Sequence, residues 1–160
     1  MVRQLAPIAD DFFDTAGLVV KGEILVPNSP QQVWDALASD QMGNRFARAT
    51  WQSPRPLSVG ARRSVRLGGV LAVEELYYRW DDLSRATFRV TALSIPIVSG
   101  WAEDYQVEPV QGGGTRVRLT IAIDNRLLRR LHVPPRLQTA LNNACDKAMR
   151  QLTTVLPASA

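Results

Sequence analysis

The chain has 160 residues, 46% of them hydrophobic, which is enough for one domain with a full core. A single cysteine, Cys145, excludes an intramolecular disulfide, and no Cys/His cluster has metal-ligand spacing. The formal charge of +4 is modest, and no apolar run approaches the roughly 20 residues needed to cross a bilayer. Residues 1–16 read as a lead-in segment with Phe12 and Phe13 as its anchors, either folded back onto the domain or packed on a second subunit. Acids stand there where a signal peptide would need its apolar core, so a soluble cytoplasmic protein is expected. The domain proper is expected over 17–156, with a tail at 157–160.

From Leu18 to Val26 a β-rich run places Leu18, Val20, Ile24 and Val26 on one face. Ser29 is positioned to cap a helix starting at Pro30, whose inward side carries Val33, Trp34 and Leu37. A second short helix is expected over Asp40–Arg48, with Met42 and Phe46 inward, and then a brief strand over Thr50–Pro54. The stretch from Gly60 to Trp80 reads as two long strands joined at Gly68-Gly69, a pair that supplies positive φ at little cost. Alternation puts Arg63, Val65 and Leu67 on the buried face of the first strand. It puts Leu71, Val73, Glu75 and Tyr77 together on the second. With a three-residue loop, Arg63 falls opposite Glu75. An ion pair on the apolar side of a sheet is costly to bury, which suggests an interior cavity holding something polar.

Beyond the turn at Asp81–Ser84, Ala86 to Ser94 alternates, with Phe88, Val90 and Ala92 facing one way. Trp101 to Val107 puts Trp101, Glu103, Tyr105 and Val107 on one face; a bulge would instead turn Asp104 inward. After Gly112–Gly114, the strand Thr115–Asp124 alternates Val117, Leu119, Ile121 and Ile123 with Arg116, Arg118 and Thr120. The last element is a helix from Pro134-Pro135 to about Leu156. Its apolar stripe is Leu137, Leu141, Ala144, Cys145, Ala148, Leu152 and Val155.

One strand, two short helices, six more antiparallel strands and a long C-terminal helix give an α+β chain with a curved seven-stranded sheet. This order, with PNSPQQVWDALAS, the stretch Ser53–Val65, the run Glu75–Asp81, and EDYQVEP and GGTRVRLT within Glu103–Thr120, resembles the helix-grip fold. More narrowly it resembles the SRPBCC proteins, which include the START and birch-pollen-allergen relatives and the polyketide cyclase/dehydrase and lipid-transport family. The resemblance covers roughly residues 18–155 and is specific for fold rather than function. In one departure, Phe46 stands where many members have a tryptophan. The resemblance implies a cavity between sheet and C-terminal helix, no cofactor, and a small hydrophobic ligand.

Strand parity supplies the lining: Arg63, Val65, Leu67, Leu71, Val73, Glu75, Tyr77, Phe88, Val90, Trp101, Glu103 and Tyr105. Leu141, Cys145 and Ala148 would come from the helix. Two inward carboxylates sharing one guanidinium could leave one protonated near neutral pH, as a general acid requires. Glu75, Glu103 and Arg63 are thus the candidate catalytic set for a cyclase or dehydratase. The alternative is an ion pair that only orients a ligand. Cys145 fits a small core residue, and His132 a solvated loop. The outward arginines Arg62, Arg66, Arg89, Arg116 and Arg118 lack interleaved aromatics and are diluted by Glu74, Asp104 and Glu108, which disfavours nucleic acid. A carrier or sensor of a hydrophobic molecule, acting as monomer or homodimer, is the first expectation.

Overall fold

A computed structural model describes residues 2–8, 11–39, 47–68, 71–94, 98–125 and 133–157, without the side chains of Ala47, Leu67 and Gln151. In chain order the elements are Arg3–Gln4 (β1), Phe12–Thr15 (α1), Leu18–Val26 (β2), Pro30–Leu37 (α2), Ala47–Trp51 (β3) and Arg62–Leu67 (β4). They continue with Leu71–Asp81 (β5), Arg85–Leu93 (β6), Gly100–Pro109 (β7), Thr115–Asp124 (β8) and Pro135–Met149 (α3). The chain then runs into a 3-10 segment, Arg150–Thr154. All strands form one antiparallel sheet in the order β2-β8-β7-β6-β5-β4-β3, with β1 attached to β6. The expected helix-grip sheet is therefore present, extended by the two-residue β1.

Local chemistry explains several of these boundaries. The Ser29 side chain accepts a hydrogen bond from Gln32 N, and the Gln32 side chain accepts one from Ser29 N, a reciprocal cap that starts α2 at Pro30. Val33, Trp34 and Leu37 are buried from that helix, as their spacing predicts. Residues Asp40–Phe46 of the expected second helix lie outside the described residues. Ala47 and Arg48 belong to a strand, because β3 pairs with β4 from Ala47↔Leu67 to Trp51↔Arg63. The β4–β5 register pairs Arg63 with Glu75 and Val65 with Val73, and Gly68 takes φ +58 at the start of the turn.

Two irregularities in the β5–β6 pairing, an extra Thr91 in β6 and an extra Tyr78 in β5, change the parity read from alternation. Between Glu74 and Glu75 the pairing to β6 slips, so that Leu93, and not Ala92, lies opposite Val73 and joins the main core. Between Tyr77 and Arg79 it slips again, and Trp80 comes opposite Ala86 and packs on the same core as Tyr77. An extra residue in one strand flips every later side chain, which strict alternation cannot anticipate.

The lead-in segment folds back onto its own domain. Strand β7 pairs with β6 only over Arg85–Arg89, and β1 takes the edge at Ala92 and Leu93. Phe12 is buried with Ala102 and Ala122 on the outer face of the sheet, beside Phe13 and Val19. Gly100 makes room for it: a Cβ there would stand 2.8 Å from the Phe12 ring.

The C-terminal helix departs from the expected stripe. It is α-helical only to Met149, and Leu137, Ala144 and Ala148 are exposed while Cys145, Met149 and Leu152 are buried. The rotation has a polar cause. Strand β2 is a sheet edge, and α3 lays Gln138, Asn142 and Asp146 along it. Gln138 donates to Val19 O (2.6 Å), Asn142 accepts from Lys21 N (3.0 Å) and Asp146 accepts from Glu23 N (2.8 Å). These side chains satisfy backbone groups that no neighbouring strand reaches. Gly22 permits the close approach, since a Cβ there would lie 2.7 Å from the Met149 sulfur and 2.8 Å from that of Cys145. Asn28 donates to Pro157 O and accepts from Thr115 through its carbonyl, which ties the segment after α3 to the start of α2.

Candidate functional site

The β4–β5 hairpin carries the polar centre of the concave face. Arg63 Nε donates to Glu75 Oε2 at 2.6 Å, and both residues are 6% exposed. Three rings surround the guanidinium carbon: Trp51 at 5.1 Å, Tyr77 at 5.4 Å and Phe88 at 5.6 Å from its centre. Burial works against the charged guanidinium, but Tyr77 and Glu75 outweigh it and push the Arg63 pKa up, so the cation persists. Burial raises the Glu75 carboxyl, opposed by the Arg63 charge and hydrogen bond. The aromatic packing continues outward, with Tyr77 in contact with Trp51, Trp80 and Phe88, and Trp80 with Trp34.

On β7, Glu103 sits between two neutral donors of its own strand. Trp101 Nε1 donates to Oε1 at 3.0 Å and the Tyr105 hydroxyl to Oε2 at 3.2 Å. Glu103 keeps part of its surface, and it lines the cavity described next. Removal from bulk water raises its pKa to about 7, and repulsion from Glu75 adds to the rise against the two hydrogen bonds and the more distant Arg63. Glu75 holds the guanidinium directly, whereas Glu103 has only neutral hydrogen-bond donors. The Tyr77 and Tyr105 hydroxyls, raised well above their ordinary range by burial, stay protonated donors. The bulge that would have turned Asp104 inward is absent: β7 and β8 pair in unbroken register, and Asp104 bonds Arg85, Thr87 and Gln106 instead. Burial alone would raise the Asp104 carboxyl, but those three donors hold it below its ordinary value.

Between the concave face and the end of α3 lies a cavity of about 490 Å³. Its wall takes Arg63, Val65, Val73, Glu75, Phe88, Trp101, Glu103 and Tyr105 from the sheet, all residues that strand parity turns inward, and Ala148 from the helix. Tyr77 is buried behind Arg63, in a separate small void with Trp34 and Trp80. Val90 is packed inside the core, and Leu71 lies against it at the hairpin end. Neither is among the described lining residues, and the side chain of Leu67 is outside the description. Leu141 and Cys145 also leave the wall, because α3 turns its polar row toward β2 and presses Cys145 on Gly22. Burial pushes that thiol up to about 11, so it is no nucleophile at neutral pH.

Several wall residues stand outside the lining expected from the central strands and the helix. Leu37 and Ala49 come from α2 and β3, Val117 and Leu119 from β8, and Met149, Leu152, Thr154 and Val155 from the end of α3 and beyond. Val117 and Leu119 were already legible as inward by alternation. Ala49 depended on where β3 begins, and Met149 on the rotation of the helix. On the outer face the arginines of β8 are paired. Arg118 meets Glu23 at 2.9 Å and Glu108 at 2.8 Å, and Arg116 meets Glu23 at 3.4 Å. His132 lies outside the described residues, as does Phe46. None of the described helices is long and apolar enough to cross a membrane.

Comparison with known proteins places this geometry. Residues 18–157 match the model of a family described as polyketide cyclase / dehydrase and lipid transport. Uncharacterised proteins of Mycobacterium tuberculosis and Mycobacterium bovis are each 31% identical over 120 residues, which covers 72% of this chain and 70% of the relative. A solved START superfamily protein from Mycobacterium smegmatis superposes with a TM-score of 0.63 at 9% identity, covering 84% of this chain and 93% of that one. Ara h 8.0201 superposes with a TM-score of 0.62 at 11% identity, covering 86% and 97%. At such identities the structural likeness is one of fold, the helix-grip architecture.

Proposed function

The chain belongs to the polyketide cyclase / dehydrase and lipid transport family, and from that premise we propose that it binds a small hydrophobic or amphipathic molecule inside the sheet, as carrier or sensor. One observation carries the reading: a cavity of about 490 Å³ whose wall is mostly aliphatic and aromatic, with Arg63, Glu75, Glu103 and Tyr105 as its polar points. That volume lies in the range of small-molecule sites, and a few convergent polar groups on an apolar wall orient a ligand. Native mass spectrometry of freshly purified protein should reveal a co-purifying molecule. Hydrophobic dye should bind the emptied protein, and Ala148→Phe should weaken it at least tenfold. Ala148 lines the cavity from an exposed position, so the ring can enter without overpacking and stability should change by less than about 1 kcal/mol. Unchanged dye affinity in a folded variant would move the binding elsewhere.

A second reading, a cofactor-free cyclase or dehydratase, is favoured by the Glu103 carboxyl, raised to about 7 and so placed where a general acid works. In it Glu103 carries the proton, Tyr105 donates to a developing oxyanion, and Arg63 with Glu75 sets the field around them. The co-purified molecule, incubated with parent and with Glu103→Gln, separates the two. Recovery unchanged from the parent leaves the carrier; water loss or ring closure that depends on Glu103 establishes the enzyme.

A further inference from the structure

On the binding reading above, the charges of the cavity wall decide which head groups it accepts. Arg63 is the one cation among the described lining residues, and its Nε already lies 2.6 Å from Glu75 Oε2. The faces of Trp51, Tyr77 and Phe88 box in the rest of the guanidinium. Facing it are two carboxyls, Glu75 and Glu103. Glu103 is held only by neutral donors, Trp101 Nε1 and the Tyr105 hydroxyl. Its cross-strand neighbours, Phe88 on β6 and Ile121 on β8, carry no charge. The ionisable groups that act on it from the other packed elements are Glu75 and Tyr77 on β5, Arg63 on β4 and the buried thiol of Cys145 on α3, beyond which lies Asp146. None of these can offer a new positive partner. A ligand carboxylate would be a third acid set against one cation that is already engaged.

We propose that this cavity takes molecules whose polar head is uncharged or cationic and donates a hydrogen bond to Glu103 (a hydroxyl, a phenol or an ammonium) and turns carboxylates away. The raised Glu103 pKa agrees, since burial and then repulsion from Glu75 outweigh what Trp101, Arg63 and Tyr105 offer the wall's own second acid. A carboxylate could still enter as the neutral acid. With an ordinary pKa near 4, protonation at neutral pH costs about a thousandfold in affinity, which bounds the discrimination.

The test uses one ring skeleton with three heads: naphthalenemethanol, naphthalenemethylamine and naphthoic acid, each displacing a bound dye from the intact protein. At about pH 8 the alcohol and the amine should bind at least tenfold tighter than the acid, and their order tells which donor the site prefers. Lowering the pH toward about 5 should bring the acid up while the alcohol stays nearly constant, because Glu103 then loses its negative charge and the small neutral fraction of the probe rises about a thousandfold from its value at about pH 8. Glu103→Gln should narrow the gap between acid and alcohol at pH 8, and the pH series on the parent stands independently of that variant. Acid binding as tight as alcohol at pH 8, or a gap that ignores pH, overturns the charge selection while leaving the binding reading intact. Failure of all three probes and of the dye removes the binding reading, and the selection with it.

Discussion

Replacing Glu75 with Gln isolates the energetic core of this fold. Both members of the Arg63–Glu75 pair are 6% exposed, and their closest contact is 2.6 Å. Breaking a buried pair by removing one charge costs about 3–5 kcal/mol, because the surviving ion stays desolvated. Two features of this site place Glu75→Gln at the lower end. The Gln carbonyl can still accept from Arg63 Nε, and the rings of Trp51, Tyr77 and Phe88 still face the guanidinium. The expected loss is about 3 kcal/mol, which for a chain of this size lowers Tm by roughly 6–12 °C. Urea unfolding followed by tryptophan fluorescence would measure it. Adding Arg63→Met removes the stranded cation and should restore most of the loss, since an apolar side chain of similar length fits an aromatic box. A single variant within about 0.5 kcal/mol of the parent, or a double variant no better than the single, would refute the sealed pair.

Two further outcomes follow from the same geometry. Because the folded Glu103 pKa, about 7, lies above its unfolded value, the folded state binds the extra proton, so this group's stabilisation is full below about pH 4 and is lost as pH rises through 7. Glu103→Gln should therefore flatten the stability profile and gain up to about 3 kcal/mol on the parent near pH 8, less as cavity water screens the charge; parallel urea midpoints from pH 5 to 8.5 would reject the assignment. Gly22→Ala places a methyl 2.7 Å from the Met149 sulfur and should cost about 1–3 kcal/mol while loosening α3 from β2. Hydrogen exchange at Lys21 and Glu23, whose amides donate to Asn142 and Asp146, should then speed up, and unchanged protection there would mean the helix edge contact is dispensable.

The succession of β2, α2, β3 to β8 and α3, the reciprocal cap at Ser29, the Arg63↔Glu75 register and the inward set Trp101, Glu103 and Tyr105 were all legible in the chain. Each rests on local physics: side chains alternate along a strand, a hairpin loop sets its own register, and a capping residue declares a helix start. What tertiary structure decided lies where two distant segments compete for the same groups. The slips that exchange Ala92 for Leu93 and bring Trp80 inward occur between β5 and β6, and no single strand carries their signal. The rotation of α3 arises because the bare edge of β2 needs donors and acceptors, so Gln138, Asn142 and Asp146 turn toward it and Leu141 and Cys145 leave the cavity wall. The lead-in segment illustrates the same division. Phe12 and Phe13 marked it as an anchor, but β6 runs past β7 and Gly100 leaves a hollow, and those two features together bring it back onto its own sheet. Alternation is a property of one strand and needs no partner, whereas edges and bulges exist only once strands have met; the sequence determined the faces within each regular run, and the assembled sheet decided where a bulge switched them and which remained open to a ligand.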